Sequence, residues 1–144
     1  MICHIISGQF RRAFEFSRGA RRLRIGYHRH LVTLDDGPIG FTCQSFFSVS
    51  MIPPLMSFSI MSRFANYSKI RQAGRFAVNI LSGEQVDISN QFTRRGTDKW
   101  HGVDWQESPL GIPIIAGSLH WLDCEIHAEH AAGVHVIVIG GGKR

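Results

Sequence analysis

Cysteine is scarce in this chain: three residues, at positions 3, 43 and 124. An odd number at wide spacing indicates neither a disulfide framework nor a zinc knuckle, and reduced thiols are expected. No apolar run approaches the ~20 residues that a membrane-spanning helix needs. The opening MICHIISGQFRR holds too short an apolar stretch for a secretory leader, and its arginines fall on the wrong side. A soluble, cytoplasmic protein without membrane association is the expectation. Catalytic signatures are missing too. There is no Gly-x-Ser-x-Gly, no His-Glu-x-x-His and no paired-carboxylate signature. The closing Gly140-Gly141-Gly142-Lys143-Arg144 is no P-loop, because the spaced glycine, the Ser/Thr and the following helix are absent. No internal repeat and no low-complexity tract occurs.

What is present describes a folded domain. The chain has 144 residues, 44% apolar and 19% charged, which is globular rather than disordered composition. The formal charge is +5, and seven of the 16 basic residues lie between Arg11 and Arg29. The rest is close to neutral, so the basicity is local. It suits a phosphate-bearing cofactor and does not by itself indicate a nucleic-acid partner. Trp100, Trp105 and Trp121 read as packing residues rather than a base-stacking platform.

Residues 1–36 are expected to form a divergent, arginine-rich arm, with residues 37–144 as the domain proper. Phe10–Phe14 resembles the start of an amphipathic helix. The arginines between Ser17 and His30 argue against a buried strand there, and suggest a loosely packed arm or a local frameshift; the strand pattern returns at Leu31–Thr33, before an Asp35-Asp36-Gly37 turn. Beyond it, Gly37–Cys43, Leu55–Met61, Arg75–Leu81 and His135–Ile139 read as strands, with Pro53-Pro54 ending one strand before the next begins. Asn66 predicts the N-cap of a short helix over Tyr67–Ala73, stopped by Gly74. Ser82–Gln85 resembles a capping box opening a helix to about Phe92. Thr93–Pro109 reads as a loop. Ser118–Glu129 alternates, placing His120, Leu122, Cys124, Ile126 and Ala128 on one face and Asp123, Glu125, His127 and Glu129 on the other. On that alternation His127 points away from Cys124 and His120, which argues against a metal site. Strands dominate and helices are short, so an antiparallel barrel with peripheral helices is the predicted fold class.

The segment Gly37–Ile60, GPIGFTCQSFFSVSMIPPLMSFSI, closely resembles the flavin reductase-like family, whose fold is the FMN-binding split barrel. The resemblance continues through Ala73–Leu81, Asp98-Lys99-Trp100, Gly102–Trp105, Leu122-Asp123-Cys124 and His135–Val138, in the same order. It implies a mainly β split barrel with peripheral helices, and an incomplete one at the C-terminus, where family members usually continue with further strands. The open edge so created would favour dimerisation or aggregation. It further implies a reductase that passes a hydride from NADH or NADPH to FMN or FAD, as the small component serving a flavin-dependent monooxygenase. A homodimer and an oxygenase partner are implied in the same way.

By this resemblance Thr42, Cys43, Gln44 and Ser45 contact the isoalloxazine and ribityl chain. Ser59, Ile60 and Met61 pass beneath the ring. Ser62, Arg63, Ala65 and Asn66 form the phosphate turn, where a helix N-terminus and a guanidinium suit an anion. Arg94 and Arg95 add phosphate contacts, and His135 faces the nicotinamide. Two departures stand out. Phe64 and Ala65 occupy positions where relatives more often carry a hydroxyl and a cation, and Val134 replaces the aspartate of a Gly-Asp-His triplet. From the residues alone, Thr42–Ser45 also describes a strand with ordinary polar ends, Arg63 a solvated surface arginine and His135 a half-buried strand histidine. A flavin-binding barrel without reductase activity, and a truncated non-functional paralogue, remain the alternatives.

Overall fold

Alternating apolar residues from Ile39 onward drive the chain into strands, and among the described residues two short helices fill gaps between them. The computed structural model describes residues 23–27, 38–43, 45–94, 96 and 98–142, the first segment by its backbone alone. The expected helix at Phe10–Phe14, the strand at Leu31–Thr33, the Asp35–Gly37 turn, Gln44 and Arg95 lie outside these residues. The elements are β1 (Leu23–Tyr27), β2 (Ile39–Cys43), β3 (Phe47–Met51), β4 (Pro54–Met61), α1 (Ala65–Ala73), β5 (Arg75–Ile80), a 3-10 turn (Gly83–Gln85), α2 (Val86–Gln91), β6 (Trp105–Glu107), β7 (Pro113–Ile115), β8 (His120–Ala132) and β9 (His135–Gly142).

Seven strands form one antiparallel sheet in the order β2-β1-β5-β8-β9-β4-β3, and β6 and β7 pair separately. The architecture is mainly β, a barrel whose two end strands are not joined by a ladder among the described residues. The basic segment behaves differently from the sequence expectation at one place. Leu23–Tyr27 is a strand, paired to β2 on one side and to β5 on the other. Charge counted over a long window hid it: LRIGY holds one arginine, with Leu23, Ile25 and Tyr27 at alternate positions.

The core follows from the pleat. Met56, Phe58 and Ile60 of β4 and Val136 and Val138 of β9 point inward together. Phe58 meets Phe76 edge to face at 5.1 Å, a favoured aromatic geometry. Each such buried side chain contributes about 1.5–3 kcal/mol. β5 is buried at every position from Phe76 to Ile80, because a second cluster of Leu81, Phe92, Trp100, Val103 and Ile115 covers its other side. Buried Asn79 joins β7 to it, donating to Pro113 O and accepting from the Ile115 N–H at 3.3 and 2.9 Å.

Three local expectations need correction. The first helix starts at Ala65, not Tyr67. Its N-cap is Phe64, which makes no side-chain cap, and Asn66 lies inside the first turn. Gly74 closes the helix at φ 68°, as the glycine predicted. In β8 the alternation holds only to Ile126. A bulge makes His127 the extra residue, since Ile126 pairs with Gly140 and Ala128 with Ile139. A one-residue slip exchanges the faces, so Glu129 comes opposite inward-facing Val138 while Ala128 joins the outer face. The capping box at Ser82 and Gln85 is present, on the 3-10 turn that precedes α2. The loop read over Thr93–Pro109 contains the three-residue strand β6.

Candidate functional site

The site grows from the place where the sheet fails to close. β3 pairs with β4 only as far as Ser57. Beyond it, Ser59–Met61 retain β9 on one side and meet the β2 end of the sheet on the other. Side chains bridge this seam. Phe41 of β2 lies 6.2 Å from Phe58 and 5.9 Å from Phe64, between ring centroids. Ser45 replaces the missing ladder: its hydroxyl donates to Ser59 O at 3.1 Å and accepts from the Ser59 N–H at 2.9 Å.

The structure distributes the residues named from the sequence along this seam and its upper end. Thr42 faces away from Phe41 and Cys43, and its hydroxyl is buried with no hydrogen-bond partner. Cys43 is a core thiol, 3.4 Å from Ser45 Oγ, and burial pushes its pKa up. Ile60 is also in the core, and Ser59 is half-buried with its backbone held by Ser45. Met61 is 54% exposed and opposes His135 across the β4–β9 ladder. Ser62 fastens the turn above it, its N–H and hydroxyl both donating to Val134 O at 2.9 and 3.1 Å. Arg63, Ala65, Arg94 and His135 are exposed, and Asn66 is half-buried. Thr42, Ser45, Ser59 and Met61 are thus brought to one seam with Ser62–Asn66 at its end. Arg94, after α2, belongs to a different loop.

Above the seam, a cleft of ≈ 220 Å³ lies between the start of β2, the start of α1 and the loop after α2. Pro38, Ile39, Gly40, Asn66, Lys99 and Trp100 line it. The loop is fixed from below. Gln91 Nε2 donates to Lys99 O and His101 O at 2.9 and 2.8 Å, and Asp98 accepts the Trp100 N–H at 3.0 Å. Lys99 Nζ then reaches Gly40 O at 3.5 Å, and partial burial lowers its pKa. Gly40 is required where it stands: a Cβ there would lie 2.4 Å from Phe92 Cε1. The sequence reading passed over Lys99 and Trp100 as site residues, although they sit in the Asp98-Lys99-Trp100 phrase.

A helix start without a side-chain cap and a lysine border a slot lined also by Pro38, Ile39 and Trp100, and the partnerless Thr42 hydroxyl lies buried in the adjoining strand. Such a slot suits a flat heteroaromatic ring with an anionic tail, so these residues fit a flavin nucleotide. Among the described residues no group of three His, Cys, Asp or Glu side chains could hold a metal ion, and no helix is long and apolar enough to cross a membrane.

Comparison with known proteins agrees with this geometry. The family model described as flavin reductase like domain matches residues 23–143. The reductase subunit HsaB of a flavin-dependent monooxygenase from Mycobacterium tuberculosis is 43% identical over 106 residues, covering 74% of this chain and 57% of that relative. FMN reductase (NADH) SmoA from Agrobacterium fabrum is 35% identical over 133 residues, covering 92% of this chain and 75% of SmoA. Among solved structures, a nitrilotriacetate monooxygenase component B homologue from Mycobacterium thermoresistibile superposes with a TM-score of 0.77 at 35% identity, over 95% of this chain and 74% of that one. The chain therefore spans little more than half the length of the HsaB relative.

Proposed function

The chain belongs to the flavin reductase-like family, and from that premise we propose that it is an NAD(P)H-dependent flavin reductase supplying reduced flavin to a partner monooxygenase. The observation that carries the reading is the seam between β2 and β4, where an orphaned Thr42 hydroxyl, the Ser45 staple and an uncapped α1 meet. The names of HsaB and SmoA support the reaction, the oxygenase partner and NADH as co-substrate.

When bound, a flavin supplies the hydride-accepting chemistry itself. The chain's own residues have the work of binding and orientation. On this reading the Thr42–Ser45 segment contacts the isoalloxazine ring and ribityl chain. Ser45 keeps the two walls of the slot at fixed separation through Ser59. Met61 and His135 stand side by side at the exposed rim, where a nicotinamide would approach. Ser62, Arg63, Ala65 and Asn66 hold the phosphate end, with FMN or FAD as the nucleotide, and Arg94 and Arg95 add positive charge. Exposed Phe47, Val49 and Met51 of β3, with Ile52 just beyond it, support a homodimer that covers this edge.

Anaerobic mixing of protein, FMN and NADH tests the reading. The visible flavin band should bleach at a rate proportional to protein. Flavin binding without bleaching would favour a second reading, a flavin-binding barrel without reductase activity, for which Val134 beside His135 is the motivating departure.

A further inference from the structure

The ladder between β5 and β8 ends at Arg75 and Glu125. Among the described residues, β8 beyond this point is laddered to β9 alone. The arm formed by Ala128–Ala132 and His135–Ile139 therefore has one edge without a strand beside it, and such an edge needs other partners to hold it. Helix α1 runs along it. Gly74 O, at the helix C-cap, accepts the Ile126 N–H at 2.9 Å. From Gly74 back to Tyr67 the helix covers about 10 Å, as do the strand residues from Ile126 to Glu129. There Tyr67 Oη donates to Glu129 Oε1 at 2.7 Å, and Arg71 Nε stands 3.5 Å from Glu129 Oε2. Before the helix, the Ser62 N–H and hydroxyl both donate to Val134 O in the turn of the arm. The arm is thus tied to α1 and its approach at root, middle and tip, and of these ties the middle one is made by side chains at both ends.

The bulge at His127 makes the middle tie possible. Without the extra residue Glu129 would fall on the outer face with Glu125. With it, Glu129 lies opposite buried Val138, on the face that shares its core with Ile70 of α1. A carboxylate turned this way is costly unless it is hydrogen-bonded, and Tyr67 and Arg71 meet that need. Bulges that re-aim a side chain are over-represented beside active sites. The tip of the arm carries His135, opposite Met61 in the β4–β9 ladder, at the exposed rim of the seam. We propose that Glu129 is a positioning residue: through Tyr67 it fixes the tip of the arm, and His135 with it, relative to the flavin-binding wall, and so sets the geometry in which a nicotinamide meets the flavin. The assignment rests on the reductase reading and on His135 standing at the nicotinamide side.

The test compares wild type, Tyr67→Phe, Glu129→Ala, the double variant and Glu129→Gln, by steady-state NADH oxidation at saturating FMN and by FMN binding followed through flavin fluorescence. FMN binding reports the flavin site and serves as the check on folding. Tyr67→Phe and Glu129→Ala should each raise the KM for NADH about fivefold or more, with kcat and the FMN Kd within about twofold of wild type, because a small misplacement acts on the group it displaces. The double variant should be no worse than either single one, since both remove the same bond. Glu129→Gln keeps an acceptor for Tyr67 and gives up only the pairing with Arg71, which is 68% exposed, so it should stay within about twofold of wild type. An unchanged KM in either single variant would overturn the positioning role and leave the reductase reading standing. So would a loss confined to kcat, a rise of KM and FMN Kd by the same factor, factors that multiply in the double variant, or a Glu129→Gln variant as impaired as Glu129→Ala. A wild type that binds FMN but oxidises no NADH would overturn the reductase reading and this inference together, and one that binds no FMN would overturn the flavin reading as well.

Discussion

Ser45 Oγ both donates to the carbonyl and accepts from the N–H of Ser59, at 3.1 and 2.9 Å, so one side chain takes the place of a neighbouring strand. A sheet edge left without its ladder must find partners for these groups or meet the cost of burying them bare. Here the partner comes from the segment between β2 and β3, which is why the two walls of the seam stay together although they are not paired.

Ser45→Ala removes that partner and leaves two backbone groups of Ser59 under-satisfied. A destabilisation of about 1–3 kcal/mol is expected, read as a lower midpoint of urea unfolding with unchanged slope. Flavin affinity should fall in parallel, since the wall separation is no longer fixed. Ser45→Thr, which keeps the hydroxyl, should recover most of both.

Gly40→Ala is expected to act by steric displacement. The new methyl would meet Phe92 Cε1 at 2.4 Å and Trp100 Cζ2 at 3.3 Å. Overpacking of this kind costs about 1–3 kcal/mol, and it should shift tryptophan fluorescence because Phe92 and Trp100 stack edge to face at 4.9 Å. Gly83→Ala, where nothing lies within 4 Å of the added carbon, is the control and should be near neutral.

Glu129 gives a pH signature. Its carboxylate accepts from Tyr67 Oη at 2.7 Å and lies 3.5 Å from Arg71 Nε. The hydrogen bond to Glu129 raises the Tyr67 pKa above its usual 10.0. The folded chain therefore holds this proton more tightly than the unfolded chain does. The resulting stabilisation is present below pH 10 and is lost as pH rises through the raised value. Ultraviolet titration should show Tyr67 ionising later than Tyr67 in Glu129→Ala; identical curves would refute the coupling.

The strands were legible because their side chains alternate: β4 and β5 stand within a residue of where periodicity puts them, and β9 starts at His135 as read but runs three residues further, to Gly142. The inward turn of Glu129 was not legible. It depends on the bulge at His127, and a single inserted residue leaves no mark in a pattern of period two. β6 and β7 have three residues each, too few to establish a period. The Asn66 cap failed because an isolated asparagine fits either the cap or the first turn, and here Met61 O and Phe64 O accept the N–H groups of Phe64 and Tyr67, starting the helix earlier. At the site, the neighbourhood of Thr42–Ser45 and Ser59–Asn66 was readable from one continuous phrase. Lys99 was not, since its meeting with Gly40, 59 positions away, exists only after the second core has folded.

Loss of reduced-nicotinamide absorbance, followed with purified chain and NADH in the presence and absence of FMN, tests the central claim most directly. The account predicts NADH oxidation that requires both protein and flavin and scales with each. A folded sample that oxidises no NADH at saturating FMN would contradict it.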